Sequence, residues 1–73
     1  MAEPEMIPVE SSNVKEIGYD AETSILYVMF KNNSLYKYFD VGADVWDDFK
    51  AAASKGQFVH QRLKGVYNYE RVY

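Results

Sequence analysis

The residues whose types could perform acid–base chemistry are few, and their spacing does not favour it. His60 is the single histidine, and no carboxylate stands three or four residues from it to orient the ring. A histidine base needs such an orienting partner. Asp44, Asp47 and Asp48 cluster at the start of a predicted helix, where carboxylates usually complement the helix dipole. We therefore predict no catalytic residue and no enzyme activity.

The residue types also argue against a metal or a cofactor. The chain has no cysteine, which excludes a disulfide framework, a thiolate metal site and a cysteine nucleophile. Oxygen ligands for a metal would have to converge from several elements, and no such set can be identified. The four glycines are scattered and do not form a phosphate-binding loop.

Aromatic and basic residues form the pattern that does suggest a ligand. The 73 residues include seven Tyr, four Phe and one Trp, and proteins bind single-stranded nucleic acids by combining aromatic stacking with basic side chains. The candidate stacking residues are Tyr27, Phe39 and Tyr67. The candidate phosphate contacts are Lys31, Lys37, Lys55, Arg62 and Lys64. Ser54-Lys55-Gly56, at a predicted helix start, could add backbone N–H groups.

The charge distribution leaves two interpretations open. The net charge is −3 and the pI is about 4.9, which argues against indiscriminate nucleic-acid binding. Residues 1–48 hold ten acids and three bases, whereas residues 49–73 hold five bases and one acid. The basic third either forms a local anion site or complements the acids within one fold. In the second case Tyr36 and Tyr38 are core residues, Ser54 is a helix cap and the lysines are solvated.

The elements that must position these residues follow from hydrophobic periodicity. Residues 14–20 predict a short strand in which Gly18 marks a bulge or a close backbone approach. Residues 25–31 and 35–40 predict a hairpin around Asn32-Asn33, since asparagine tolerates the positive φ of a tight turn. Helices are predicted at residues 42–53 and 54–64. The second has a Ser54-x-x-Gln57 capping box and Gly65 as its left-handed cap.

The order β-β-β-α-α predicts an α+β fold. A three-stranded antiparallel sheet carries two helices on one face, and it becomes four-stranded if residues 66–73 add an edge strand. Residues 1–8 are predicted to be a flexible N-terminal tail, and residues 9–73 a single domain. The inward-facing side chains are predicted to be Leu26, Val28, Phe30, Tyr36 and Tyr38.

The opposite face of the sheet is the second candidate surface. Alternation places apolar side chains there, which would form an interface with a protein partner or a second copy if left bare. They are Ile25, Tyr27, Met29, Leu35 and Phe39. The alternative is that the N-terminal tail or the C-terminal tyrosine-rich segment folds over them.

Several short motifs resemble those of the KTSC domain over residues 9–72. They are residues 11–14 (SSNV), residues 17–20 (IGYD), the Tyr36-x-Tyr38 pair, Ser54-Lys55-Gly56 and residues 64–67 (KGVY). The chain departs from the family pattern in its Asn32-Asn33 turn, where Asn-Gly is usual, and at Gly42, where proline is common. The resemblance implies a small bacterial or phage domain. The KTSC domain is also found at the C-terminus of some lysyl-tRNA synthetases, and this fusion implies that the domain binds RNA.

Together these observations predict a non-enzymatic binding module for RNA or tRNA. The alternative is a protein-interaction module or homodimer that uses the second sheet face. No apolar run approaches the ~20 residues of a membrane span, and the acidic N-terminus is unlike a secretory signal. We therefore expect a cytoplasmic protein with no membrane partner.

Overall fold

The computed structural model describes residues 4–73. The five strands are β1 (Ile7–Pro8), β2 (Val14–Asp20), β3 (Ile25–Phe30), β4 (Leu35–Tyr38) and β5 (Tyr69–Arg71). Helix α1 spans Ala43–Ala51, and α2 begins as an α-helical turn, Lys55–Phe58, and continues as a π-helical turn, Val59–Leu63. No described helix is long and apolar enough to cross a membrane.

The α+β class and the two helices are confirmed, but the predicted strand count is wrong. The sheet has five antiparallel strands in the order β1-β2-β3-β4-β5, and both helices lie between β4 and β5 in the chain. The sequence pattern missed β1 and left β5 undecided because both are short, exposed edge strands. An edge strand with one wet face and a proline carries little hydrophobic alternation.

The predicted tail, residues 1–8, lies partly outside the described residues. Its last two residues form β1, where Ile7 lies opposite Ile17 and Pro8 opposite Glu16. The Val9 amide then donates to the Lys15 carbonyl at 3.2 Å. The end of this segment is therefore tied to the sheet.

The core lies between one face of the sheet and the two helices. Leu26 and Val28 are fully buried, Tyr38 is 4% exposed, and the helices contribute Phe49 and Leu63. Phe30 and Tyr36 are half-buried and pack against this core. The predicted inward face is therefore confirmed. Ring stacking of Phe49 on Phe58, with centroids 4.8 Å apart, joins the helices at their junction.

Turn residues fix the chain reversals where the sequence predicts them. Asn33 has φ 67° and its amide donates to the Phe30 carbonyl at 2.9 Å. Gly65, with φ 79°, ends α2. The Ser54 hydroxyl accepts from the Gln57 amide at 3.3 Å and caps the start of that helix. The predicted hairpin turn, N-cap and left-handed cap are thus confirmed.

The outer face of the sheet, on the side away from the helices, is not bare. Tyr27 is 6% exposed and Leu35 is fully buried, while Ile25, Met29 and Phe39 are half-buried. The expectation of an exposed apolar face is therefore wrong for Tyr27 and Leu35. Alternation assigns side chains to a face but does not show what covers it.

The N-terminal segment packs against this outer face at Gly18. Gly18 lies opposite Tyr27 in the sheet and is itself buried. A Cβ built at Gly18 would stand 2.6 Å from the Met6 sulfur and 3.2 Å from the Glu5 carbonyl oxygen. Near the C-terminus, the pairing with β4 continues past β5, because the Val72 amide donates to the Leu35 carbonyl at 2.7 Å. Gly18 thus marks a close approach, the second of its two predicted roles.

This close approach predicts that Gly18→Ala destabilises the fold by about 1 kcal/mol, since the added methyl overpacks a filled site. The measurement is denaturant unfolding of four proteins: wild type, Gly18→Ala, Met6→Ala and the double variant. Met6→Ala makes room for the new methyl, so Gly18→Ala should cost less in that background. Strictly additive effects would show that Met6 does not lie on Gly18.

Candidate functional site

A cleft of about 560 Å³ opens on the helix side of the sheet, beside the core. Five segments contribute to its walls: the loop before β2, the end of β3 with its turn, β4, α2 and β5. The lining residues are Ser12, Asn13, Phe30, Lys31, Asn32, Tyr36, Tyr38, Gly56, Val59, His60, Lys64 and Tyr69. Its volume falls within the range typical of small-ligand sites.

One wall of the cleft is a set of four packed aromatic rings. Phe30 meets Tyr36 edge-to-face with centroids 5.4 Å apart, and Tyr69 lies 5.8 Å from Tyr36 and 5.9 Å from Tyr38. Tyr38 is the deepest of the three tyrosines, whereas Tyr69 is 56% exposed. The wall therefore runs from a buried, rigid ring to an accessible one.

The loop before β2 approaches the start of α2 at the opposite wall. The Ser11 hydroxyl accepts from the Asn13 and Val14 amides at 3.4 and 3.3 Å, and the Asn13 carbonyl accepts from the Lys31 amide at 2.9 Å. A Cβ at Gly56 would collide with the Asn13 side-chain oxygen. A glycine at position 56 is what allows this approach.

The π-helical turn supplies the third part of the cleft. The Lys64 amide donates to the Val59 carbonyl, five residues back, at 2.7 Å. His60 and Lys64 both line the cleft and are exposed, while Val59 is buried. π-Helical turns recur at functional sites in proteins.

Most of the basic side chains already have partners within the fold. Lys55 donates to the Ala52 carbonyl at 2.7 Å, where it caps the end of α1. Arg62 stands 3.7 Å from the Asp48 carboxylate and over the Phe58 ring. The other four bases also have partners: Lys15 donates to Asn33, Lys37 lies over the Tyr27 ring, Lys50 pairs with Asp47, and Arg71 donates to Ser34.

Lys31 and Lys64 differ from the other bases. Within residues 4–73, their side chains make no hydrogen bond, ion pair or cation–π contact. Both are exposed and both line the cleft. None of the acidic residues that the structure describes lines it. The cleft is therefore a locally positive site on an acidic protein.

The structure separates the residues that the sequence grouped as a nucleic-acid site. Lys37 and Tyr27 lie on the outer face, with the lysine nitrogen 5.9 Å from the ring centroid. Tyr67 is half-buried against the core. Lys55 and Arg62 line no part of the aromatic cleft, and of the eight candidate stacking and phosphate-contact residues only Lys31 and Lys64 do so. Tyr27 is too buried to stack on a ligand.

The motif residues divide between packing and the cleft. Tyr36, Tyr38 and Gly56 line the cleft, whereas Ser54 and Lys55 are capping residues at the α1–α2 junction. Sequence reasoning missed the roles of Asn13, His60 and Tyr69. Only the possible edge strand at residues 66–73 included Tyr69, and it included Tyr67 as well.

Burial, with smaller contributions from the neighbouring Tyr36 and Tyr69 phenols, raises the pKa of Tyr38 to about 12. The Tyr38 hydroxyl therefore stays protonated at neutral pH. It can donate a hydrogen bond but cannot act as a phenolate nucleophile. No group of three metal-ligating side chains is found within residues 4–73.

A sequence profile described as the KTSC domain matches residues 10–71, which is most of the chain. The chain belongs to the KTSC family. The fold agrees: a KTSC domain protein from Yersinia pestis superposes with a TM-score of 0.90 at 30% identity, over 94% of this chain and 97% of that one.

Two kinds of relative resemble this KTSC domain. A lysine–tRNA ligase from Trichormus variabilis is 36% identical over 92% of this chain, which spans only 12% of the ligase. A protein from Tsukamurella paurometabola is 42% identical over 81% of this chain and 88% of its own length. None of these matches indicates a catalytic family, since only a small part of the ligase is shared.

The buried phenol of Tyr38 predicts a specific alkaline destabilisation. Its folded pKa of about 12 exceeds the usual tyrosine value of about 10, so the folded state holds this proton more tightly than the unfolded state. The corresponding stability is fully present below about pH 10 and is lost as the pH rises toward 12. Tyr38→Phe should lose less unfolding free energy over this interval in denaturant titrations. Equal losses in both proteins would contradict the assignment.

Proposed function

We propose that this KTSC domain is a non-enzymatic RNA-binding module and that the aromatic cleft is its binding surface. The observation that carries the proposal is the position of Lys31 and Lys64. They are the two described bases without a partner in the fold, and both stand beside exposed aromatic surface. Phosphate contacts and ring stacking are the two contributions that single-stranded RNA binding needs.

The acidic surface is compatible with this function because binding is local. Charges separated by more than about 8 Å are largely screened at physiological ionic strength. The described lining of the cleft holds two lysines and no carboxylate. A phosphate in the cleft therefore interacts mainly with Lys31 and Lys64, although the protein carries a net charge of −3.

The relatives support RNA as the class of partner, and tRNA as one candidate within it. The ligases from Trichormus variabilis and Nostoc are named for action on tRNA, and each contains a region similar to nearly all of this chain. A small appended domain that binds RNA would increase the local concentration of an RNA substrate near an enzyme.

The alternative function, a protein-interaction module or homodimer, has less support. This alternative requires an exposed interface on the outer face of the sheet, yet Tyr27 and Leu35 on that face are buried by the chain itself. The other three candidate residues there are half-buried. Little apolar surface remains on that face for a partner to cover.

The proposal predicts that Lys31→Gln and Lys64→Gln each weaken RNA binding. Loss of one phosphate contact to a single strand should cost about five-fold in affinity at ~0.1 M salt. The measurement is fluorescence anisotropy of labelled tRNA and of labelled single-stranded oligonucleotides.

Lys37→Gln is the matched control for these variants. It removes the same charge, but from the opposite face of the sheet, so affinity should change by less than about two-fold. Equal losses in all three variants would mean that RNA responds only to net charge. Absence of binding by the wild-type protein at low salt would remove the proposal altogether.

A further inference from the structure

We infer that the cleft accepts one unpaired nucleotide of an RNA strand, with its base against Tyr69 and its flanking phosphates at Lys31 and Lys64. This inference rests on the proposed function and makes it specific. The ligand class is a flexible single strand, loop or end, and duplex RNA is excluded.

The aromatic wall provides the first argument. The Tyr69 ring is 56% exposed, yet it is held by contacts with Tyr36 and Tyr38 at 5.8 and 5.9 Å. A ring that is both accessible and fixed can stack on a base with little loss of side-chain freedom. The neighbouring rings are half-buried or buried. The wall therefore offers one ring on which a base can stack, and not several rings for successive bases.

Exposed polar groups around the cleft provide the second argument. Ser12, Asn13, Asn32 and His60 are all exposed and line the cavity. Amide, hydroxyl and imidazole groups can donate to and accept from the edge of a base. Such an edge is available only when the nucleotide is unpaired.

The number of free bases provides the third argument. Domains that recognise duplex RNA by shape contact phosphates over about 16 base pairs. Here two lysines are free, and the other six bases have partners within the fold. The arrangement suits one or two phosphates beside a single nucleotide.

The salt dependence of binding follows from this count. Each phosphate neutralised on a single strand contributes about −0.7 to the slope of log K against log salt, so two lysines should give about −1.4. Lys64→Gln should reduce the slope to about −0.7, while Lys37→Gln should leave it unchanged. The slope thus counts the lysines independently of absolute affinity.

The test compares three labelled RNAs: a trinucleotide, a longer single strand and a blunt duplex of the same sequence. The affinity of the longer strand, divided by its number of equivalent binding positions, should equal the affinity of the trinucleotide. The duplex should bind negligibly. Amide-shift mapping should show changes at Asn13, Lys31 and Lys64.

Tyr69→Ala tests the stacking contact, and Tyr73→Ala is its matched control. Both tyrosines are 56% exposed and lie near the C-terminus, but only Tyr69 lines the cleft. Loss of one stacked base should weaken binding by about 5- to 150-fold for Tyr69→Ala, with little change for Tyr73→Ala. Thermal unfolding of both variants identifies any loss that comes from unfolding.

The outcomes separate this inference from the proposed function. If none of the RNAs binds, both are wrong. If the duplex binds as well as the single strand, or if the slope is much steeper than two lysines allow, the protein binds RNA but not through one unpaired nucleotide. Equal losses for Tyr69→Ala and Tyr73→Ala, with both proteins folded, would also overturn the inference.

Discussion

The structure depends on the register of the β3–β4 hairpin. Val28 lies opposite Tyr36 and Leu26 opposite Tyr38, and this pairing places the Tyr-x-Tyr pair on the helix side. A shift of one residue would exchange the two faces and put Lys37 against the helices. Asn33 sets the register, because its φ of 67° closes the turn onto the Phe30 carbonyl. Asparagine is one of the few non-glycine residues that adopt this conformation readily.

The same aromatic residues contribute to both packing and the cleft. Tyr38 belongs to the hydrophobic core, Tyr36 packs at its margin, and Tyr69 extends the wall to the surface. A binding surface built on the core needs little reorganisation when a ligand arrives, which lowers the entropic cost of binding. The family motif is therefore neither purely structural nor purely functional. Gly56 illustrates this, since it allows Asn13 to approach α2 and thereby shapes the cleft.

The sequence was sufficient for the elements with strong periodicity and insufficient for tertiary contacts. The central hairpin, the Ser54 cap and the Gly65 cap depend on local residue preferences, and these were predicted. The contacts of each basic side chain depend on the tertiary structure. Lys31 and Lys64, for example, are 33 positions apart in the sequence but line one cleft. Lys55 turns back to a carbonyl three residues away, which charge alone does not reveal. The packing of the N-terminal segment on Gly18, opposite Tyr27 in the sheet, is likewise a tertiary contact that no alternation pattern contains.

The contrast between an acidic protein and a positive cleft has a consequence for selectivity. Nonspecific nucleic-acid binding arises from many phosphate contacts spread over a basic surface, and this chain pairs six of its eight bases internally. A long polyanion therefore gains little from lying across the rest of the surface, because the bases there already contact groups within the fold. Under the proposed function, favourable contacts would arise only where a phosphate and an accessible nucleotide base reach the cleft together. Under the proposed function, the internal pairing of Lys55 and Arg62 stabilises the helices and also removes competing phosphate sites, which would confine RNA recognition to the cleft beside Tyr69.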